Sequence, residues 1–295
     1  MTPPDGHTGG YADRYGLAVR VGLFAFLELL SLIIFGWMLA PWAGTIASAA
    51  LSTFLAAAVT NTFTVRIFER LSLADLGLAW NPSSVRNLGW GLAGGVLAGL
   101  VVLLPPVLIG AAKLVPAPDQ PANLRSLLFV SAMLALGVVG EELLFRGYGF
   151  QILLRHAGPF ATILPVAMLF AAAHSANLNA TPLGLLNTFL WGVMLGFAVI
   201  RSGDLWLAIG LHFGWNWTLP LFGVNLSGFR MSVSGYMLNW NVGPLWSGGD
   251  YGPEASLLTL AMMPLLGWAL WRAPVATQRL KLVSEPDEDT NEPRP

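Results

Sequence analysis

The 295-residue chain carries 15 Lys+Arg and 16 Asp+Glu, so 11% of residues are charged against 55% hydrophobic, and mean hydropathy is +0.64. That balance excludes a disordered chain and an ordinary soluble enzyme, whose charged fraction is ~25%, and a net charge of −1 excludes the basic footprint of a nucleic-acid-binding protein. The absence of cysteine removes disulfides, thiolate zinc sites and Cys nucleophiles, which leaves an integral, all-α membrane protein as the class.

A membrane-crossing helix needs ~20 mostly apolar residues. In chain order, eight segments qualify: Val21–Ala40, Ile46–Val65, Leu88–Ala111, Ser126–Leu153, Phe160–His174, Leu183–Ile200, Leu205–Phe222 and Ala255–Trp271. The second is diluted by Thr53, Thr60, Asn61, Thr62 and Thr64. The third should kink or end near Pro105-Pro106. The fourth is long and polar at its end, so its last turns are expected to run into the interface. A cleaved signal peptide with Ala47-Ser48-Ala49 as cleavage site is the rival reading of the first segment. Its apolar run is too long for that and contains Glu28.

Between the segments, Arg66–Trp80 suits an interfacial helix. The loop from Gly223 to Glu254, rich in Gly, Trp and Asn, is placed to cap the bundle. Residues 1–20 read as an N-terminal tail, 21–272 as the eight-helix domain and 273–295 as a disordered tail. Twelve Trp, many near segment ends, fit aromatic belts. With eight crossings, 12 Lys/Arg fall on the side of both termini and three (Lys113, Arg125, Arg230) on the other. The positive-inside rule then places both termini in the cytoplasm of a multi-pass cell-membrane protein.

An ionisable group inside a crossing costs at least ~2.5–3.5 kcal/mol and marks a functional candidate. The fourth segment holds Glu141, Glu142 and Arg146. Glu142 and Arg146 are four residues apart on one helix face, as an ion pair requires. Glu141 points ~100° away and has no local partner, which leaves it for chemistry. His174 follows Phe170 by one turn at the end of the fifth segment. In the seventh, His212 and Asn216 are again four apart. Taken singly, the last two features suit a satisfied helix-end His and an interhelical hydrogen bond. Depth joins them: counted from the cytoplasmic ends, Glu142, His174 and Asn216 lie ~18–22 Å along their helices and His212 ~12 Å. They can therefore meet in one intramembrane cavity, and they supply a general base, oxyanion donors and possible metal ligands. Glu28 reads as a bundle-facing or snorkelling residue, His7 as a tail residue, His156 as interfacial and Asn187 as an interhelical hydrogen-bonder. No Walker A, GxGxxG after a strand, HExxH or GxSxG is present.

These residues resemble the CPBP family of type II CAAX prenyl endopeptidases and the related bacteriocin-processing and abortive-infection membrane proteins. The family's EExxxR, FxxxH and HxxxN motifs match Glu141-Glu142…Arg146, Phe170…His174 and His212…Asn216, over roughly Leu124 to Asn216. FRG follows the glutamates and RSGDLW precedes the second His. The resemblance implies an intramembrane endopeptidase with a membrane-associated protein or peptide substrate. In it Glu141 and His174 activate a water while His212 and Asn216 stabilise the oxyanion. Many members are labelled metalloproteases, and zinc would take Glu141, His174 and His212. Arg146 one turn from the glutamates opposes a second cation, so no cofactor is the favoured expectation. The rival readings are a catalytically silent immunity or scaffold protein of the same fold, and a polar-lined transporter.

Overall fold

The structure, a computed structural model, describes residues 9–119, 121–231 and 233–284, with side chains from residue 16 onward. His7 and the stretch 285–295 lie outside the described residues. The chain is mostly helical. Helix α1 (Gly9–Glu69) is two arms joined at Gly44, whose φ of 68° and ψ of 168° leave the helical region. Helix α2 spans Pro82–Leu108 and ends within a turn of Pro105-Pro106, as expected from the loss of backbone N–H groups there. Then come β1 (Ala112–Pro116), α3 (Leu124–Arg146), α4 (Tyr148–His174, kinked at Gly158), α5 (Pro182–Ser202) and α6 (Trp206–Leu221). Strand β2 (Tyr236–Trp240), the single turn α7 (Pro244–Ser247) and α8 (Leu257–Arg272) complete the order.

All eight apolar segments are helical, but four of the described helical stretches are long and apolar enough to cross a membrane. Two of these, Gly16–Glu69 and Leu124–His174, run to 54 and 51 residues and contain more than one of the expected crossings. Helices α6 and α8 have 16 residues each, ~24 Å, short of a ~30 Å hydrocarbon core. Large apolar side chains such as Trp37, Trp42, Phe160 and Met168 remain exposed around the outside. That surface suits a multi-pass membrane protein.

Three expectations are corrected. The fourth segment is not one helix to Leu153. It breaks at Gly147, where Asn61 of α1 occupies the space a Cβ would need. Asn61 Nδ2 donates to Leu143 O (3.1 Å) and Oδ1 accepts from Tyr148 N (2.7 Å), so one amide serves both helix ends at the break. Residues Arg66–Trp80 do not form an interfacial helix: α1 runs to Glu69, and only a 3₁₀ turn, Leu73–Leu76, follows. The stretch from 273 to 284 is not a loose tail. It docks as a strap: Asn87 exchanges two hydrogen bonds with the Ala276 backbone at 2.8 Å each, Gln278 N donates to Ser202 O, and Leu280 and Leu282 are buried. The all-α class also gains a small exception, the antiparallel β1–β2 pair with Leu114 opposite Leu238.

Helix α6 is buried on nearly every side, as a short helix apolar all round must be. Its seat against α2 is built from glycine. A Cβ at Gly91 or Gly95 of α2 would come closer than 3.0 Å to backbone of α6, and one at Gly210 or Gly214 would do the same to α2. Reciprocal small residues let two backbones approach where lipid supplies no hydrophobic drive. This contact fixes the height and rotation of His212.

Candidate active site

Helices α3, α4, α5 and α6 converge on a cavity of about 370 Å³, and Glu141, His174, His212 and Asn216 all line it. Glu142 and Arg146 do not line it. They lie behind the wall, fully buried, with Arg146 Nη1 3.3 Å from Glu142 Oε1. The sequence expectation of a Glu142–Arg146 pair with Glu141 left open toward a cavity describes this geometry. What the spacing could not show is where His212 goes. Its Nδ1 lies 2.8 Å from Glu142 Oε1, and its Nε2 lies 3.8 Å from Glu141 Oε2. An imidazole thus stands between the two adjacent carboxylates, hydrogen-bonded to the buried one and near, but not bonded to, the open one.

Arg146 also donates to the carbonyl of Gly192 on α5 (3.1 Å) and lies over the Phe170 ring, 4.7 Å from its centroid, while its Nε has no hydrogen-bond partner among the described residues. A planar guanidinium suits both contacts, and a buried charge needs them. Phe170 is the common neighbour: its ring also sits 4.5 Å from that of His174 and 6.1 Å from that of His212. His174 Nδ1 donates to Phe170 O at 2.8 Å, because a carbonyl can only accept. In the neutral ring Nε2 is then the acceptor.

The other sequence candidates fall elsewhere. Glu28 is buried on α1 and does not line the cavity. His156 Nδ1 meets Ile152 O within its own helix. Asn187 does not bridge two helices; its amide donates to the backbone carbonyls of Glu254 (2.7 Å) and Ser256 (3.0 Å) and holds the 223–256 segment to α5. That segment reaches into the cavity wall through Ser227, Phe229 and Glu254. Glu254 accepts from Trp215 Nε1 (3.2 Å) and from the Ser227 hydroxyl (3.0 Å). Below it, Tyr251 is buried, and burial pushes its hydroxyl up to about 12. Sequence reasoning missed Glu254, Asn61 and the glycine seat of α6. The Gly91-x₃-Gly95 and Gly210-x₃-Gly214 spacings were a legible signal for the last.

For a metal, no group of three or more His, Asp or Glu side chains among the described residues is arranged to hold an ion. Glu142 Oε1 meets both Arg146 and His212, and Arg146 adds a positive charge beside the glutamates, which opposes a second cation; the Nδ1 contacts of His174 and His212 leave both Nε2 atoms free. Glu141, His174 and His212 are the residues that zinc would take, and the described residues do not group them as an ion site.

A pocket with an open carboxylate, two imidazoles and an amide, in a bundle with an apolar exterior, is the type of site a membrane-embedded hydrolase needs. Residues 123–218, which contain all of these groups, match the family model described as Rce1-like, type II CAAX prenyl endopeptidase. The match supports membership of the CPBP family, and that family implies a protease in a membrane. No curated protein matches the chain.

Proposed function

We propose that the protein is an intramembrane endopeptidase that hydrolyses a peptide bond in a membrane-associated protein or peptide, without a metal. The observation that carries this reading is the convergence of Glu141, His174, His212 and Asn216 on one cavity, with Glu142 and Arg146 bracing it from behind. Eight crossings with both termini in the cytoplasm remain our reading of the 12-to-3 charge split.

Each group has a step. A water in the cavity gives one hydrogen bond to His174 Nε2 and one to Glu141, which takes its proton as the oxygen attacks the substrate carbonyl. The C–O bond that forms places a negative charge on the former carbonyl oxygen. Asn216 Nδ2 donates to that oxygen. His212 has Nδ1–H committed to Glu142, so Nε2 can donate only when the ring carries a proton on each nitrogen. Glu142 fixes the ring's direction through that hydrogen bond. As the C–N bond breaks, Glu141 returns its proton to the leaving nitrogen. Two fragments result, one with a new carboxylate and one with a new amine.

A silent scaffold and a transporter are not favoured: the cavity keeps the open carboxylate, the two imidazoles and the amide of a hydrolytic set. Comparative proteomics of membrane-associated peptides tests the reading, with host cells carrying either the intact chain or Glu141→Gln. We expect at least one uncut precursor to accumulate in the variant. Identical peptide populations at equal protein levels would contradict the reading.

A further inference from the structure

Two carboxylates line the cavity, and the proposed mechanism uses only Glu141. The other, Glu254, comes from the 223–256 segment and is partly exposed. Its hydrogen bonds all come from neutral donors. Trp215 Nε1 donates to Oε1 (3.2 Å), and the Ser227 N–H and hydroxyl donate to Oε2 (2.5 and 3.0 Å). Ser227 and Trp215 line the same cavity, so the carboxylate is held in place by groups of the cavity wall itself.

These donors fix the carboxylate without neutralising it. Its two oxygens offer about four acceptor sites, and three donors leave one of them open, on Oε1. No Lys or Arg lines the cavity among the described residues, and none lies within ion-pair distance of Glu254. Arg146 is already matched to Glu142 behind the wall. Tying Ser227 to Trp215 requires acceptors but not a charge. A negative charge with only neutral partners, facing a largely apolar cavity of low dielectric, attracts a cation that enters with a bound molecule. Its place along the bundle is set by Trp215, the residue immediately before Asn216 on α6, so that cation sits near the proposed oxyanion donor.

We propose that Glu254 is a specificity-determining residue, whose carboxylate binds a Lys or Arg side chain of the bound peptide a few residues from the bond that is cut. The proposal rests on the endopeptidase reading for the bond, but not for the ion pair.

The test uses the full chain in lipid nanodiscs and an S-farnesylated peptide ending in Cys and three further residues, labelled at its N-terminus. Lys is placed in turn at each of the three positions before Cys and the three after it. Each Lys peptide is compared with its norleucine counterpart, which keeps the aliphatic stem and lacks the charge. We expect Lys at one position to raise kcat/KM roughly five- to tenfold over norleucine, mainly through KM, as a charge-assisted hydrogen bond would. Glu254→Gln keeps an acceptor and removes the charge, and should bring that ratio to within about twofold of one. Each ratio is taken within one preparation, so it does not depend on how much of the variant is folded. Equal kcat/KM for Lys and norleucine at every position in the intact chain, or a preference that persists in Glu254→Gln, would overturn the proposal. A binding arm separates it from the proteolytic reading. In Glu141→Gln protein, fluorescence anisotropy should show the Lys peptide binding roughly five- to tenfold tighter than norleucine at one position, and the added Glu254→Gln change should abolish the difference. That difference without cleavage by the intact chain supports the role of Glu254 and counts against the peptidase. Equal binding of Lys and norleucine peptides at every position overturns the role of Glu254.

Discussion

His212 Nδ1 lies 2.8 Å from the same Glu142 oxygen that Arg146 Nη1 approaches at 3.3 Å. One buried carboxylate therefore orients the imidazole of α6 and neutralises the guanidinium of its own helix. Glu142 and Glu141 differ in task although they are neighbours in sequence. The first is fully buried and engaged; the second opens on the cavity.

The first prediction follows from that division. Glu142→Gln removes a charge from a fully buried pair and is expected to destabilise the protein by on the order of 3 kcal/mol, because Arg146 is left uncompensated. Activity should fall with it as His212 loses its anchor. Thermal unfolding in nanodiscs measures the first effect and peptide cleavage the second. A melting temperature equal to that of the intact chain would mean that Glu142 is not the counter-ion.

The glycine seat of α6 predicts position-dependent effects of one methyl group. Gly95→Ala forces a Cβ onto the α6 backbone and should cost ~1–3 kcal/mol and displace His212. Gly89→Ala, on the same helix with open space around it, should be neutral or stabilising. Equal melting temperatures and activities for the two variants would contradict the packing account.

A third prediction concerns the strap. Asp75 accepts from Lys281, and that hydrogen bond, with help from Ser72, holds its carboxyl at about 2, below its ordinary 3.8. A depressed folded value contributes stability that is full above ~4 and is lost as pH falls through about 2. Lys281 is well exposed, so the effect is small, at most ~1 kcal/mol. Proteolytic release of the C-terminal segment should therefore speed up at most about fivefold between pH 4 and 2. Asp75→Asn should show the faster release already at pH 7. Release independent of both would mean that the strap is held by the Asn87 and Gln278 hydrogen bonds and the burial of Leu280 and Leu282, without Asp75.

The fourth is metal independence. With no three-ligand group among the described residues, chelation by phenanthroline or EDTA should leave cleavage unchanged, and purified active protein should hold less than stoichiometric zinc by elemental analysis. Zinc at one per chain, whose removal abolishes activity and whose return restores it, would make His174 and His212 ligands instead.

Much of this was legible from residue types at helical spacing. Glu142 with Arg146, Phe170 with His174 and His212 with Asn216 each lie four residues apart, so a helix brings each pair to one face, and shared depth suggested one cavity. Tertiary placement was not legible. Nothing in the spacing says that His212 crosses to Glu142 or that Phe170 touches Arg146 and both imidazoles, because those contacts join different helices. The break at Gly147 was missed because the segment was read as one long helix running into the interface; the partner that satisfies both helix ends, Asn61 on a distant helix, read in the sequence as mere dilution. The strap was misread because its polar residues face protein acceptors, such as Asp204 and Ser202, and not water.

The central claim is that Glu141 is the base of a metal-free peptidase, and cleavage by purified protein in chelator tests it most directly. The intact chain and Glu141→Gln, reconstituted side by side, are given the farnesylated peptide and the products are weighed by mass spectrometry. We predict one new carboxyl terminus from the intact chain. The variant should have the same melting temperature and at least a thousandfold lower rate, since an amide keeps the shape but cannot take the proton; a general base contributes ~10²–10⁴-fold. A Glu141→Gln protein that cuts the peptide at the rate of the intact chain would contradict the account.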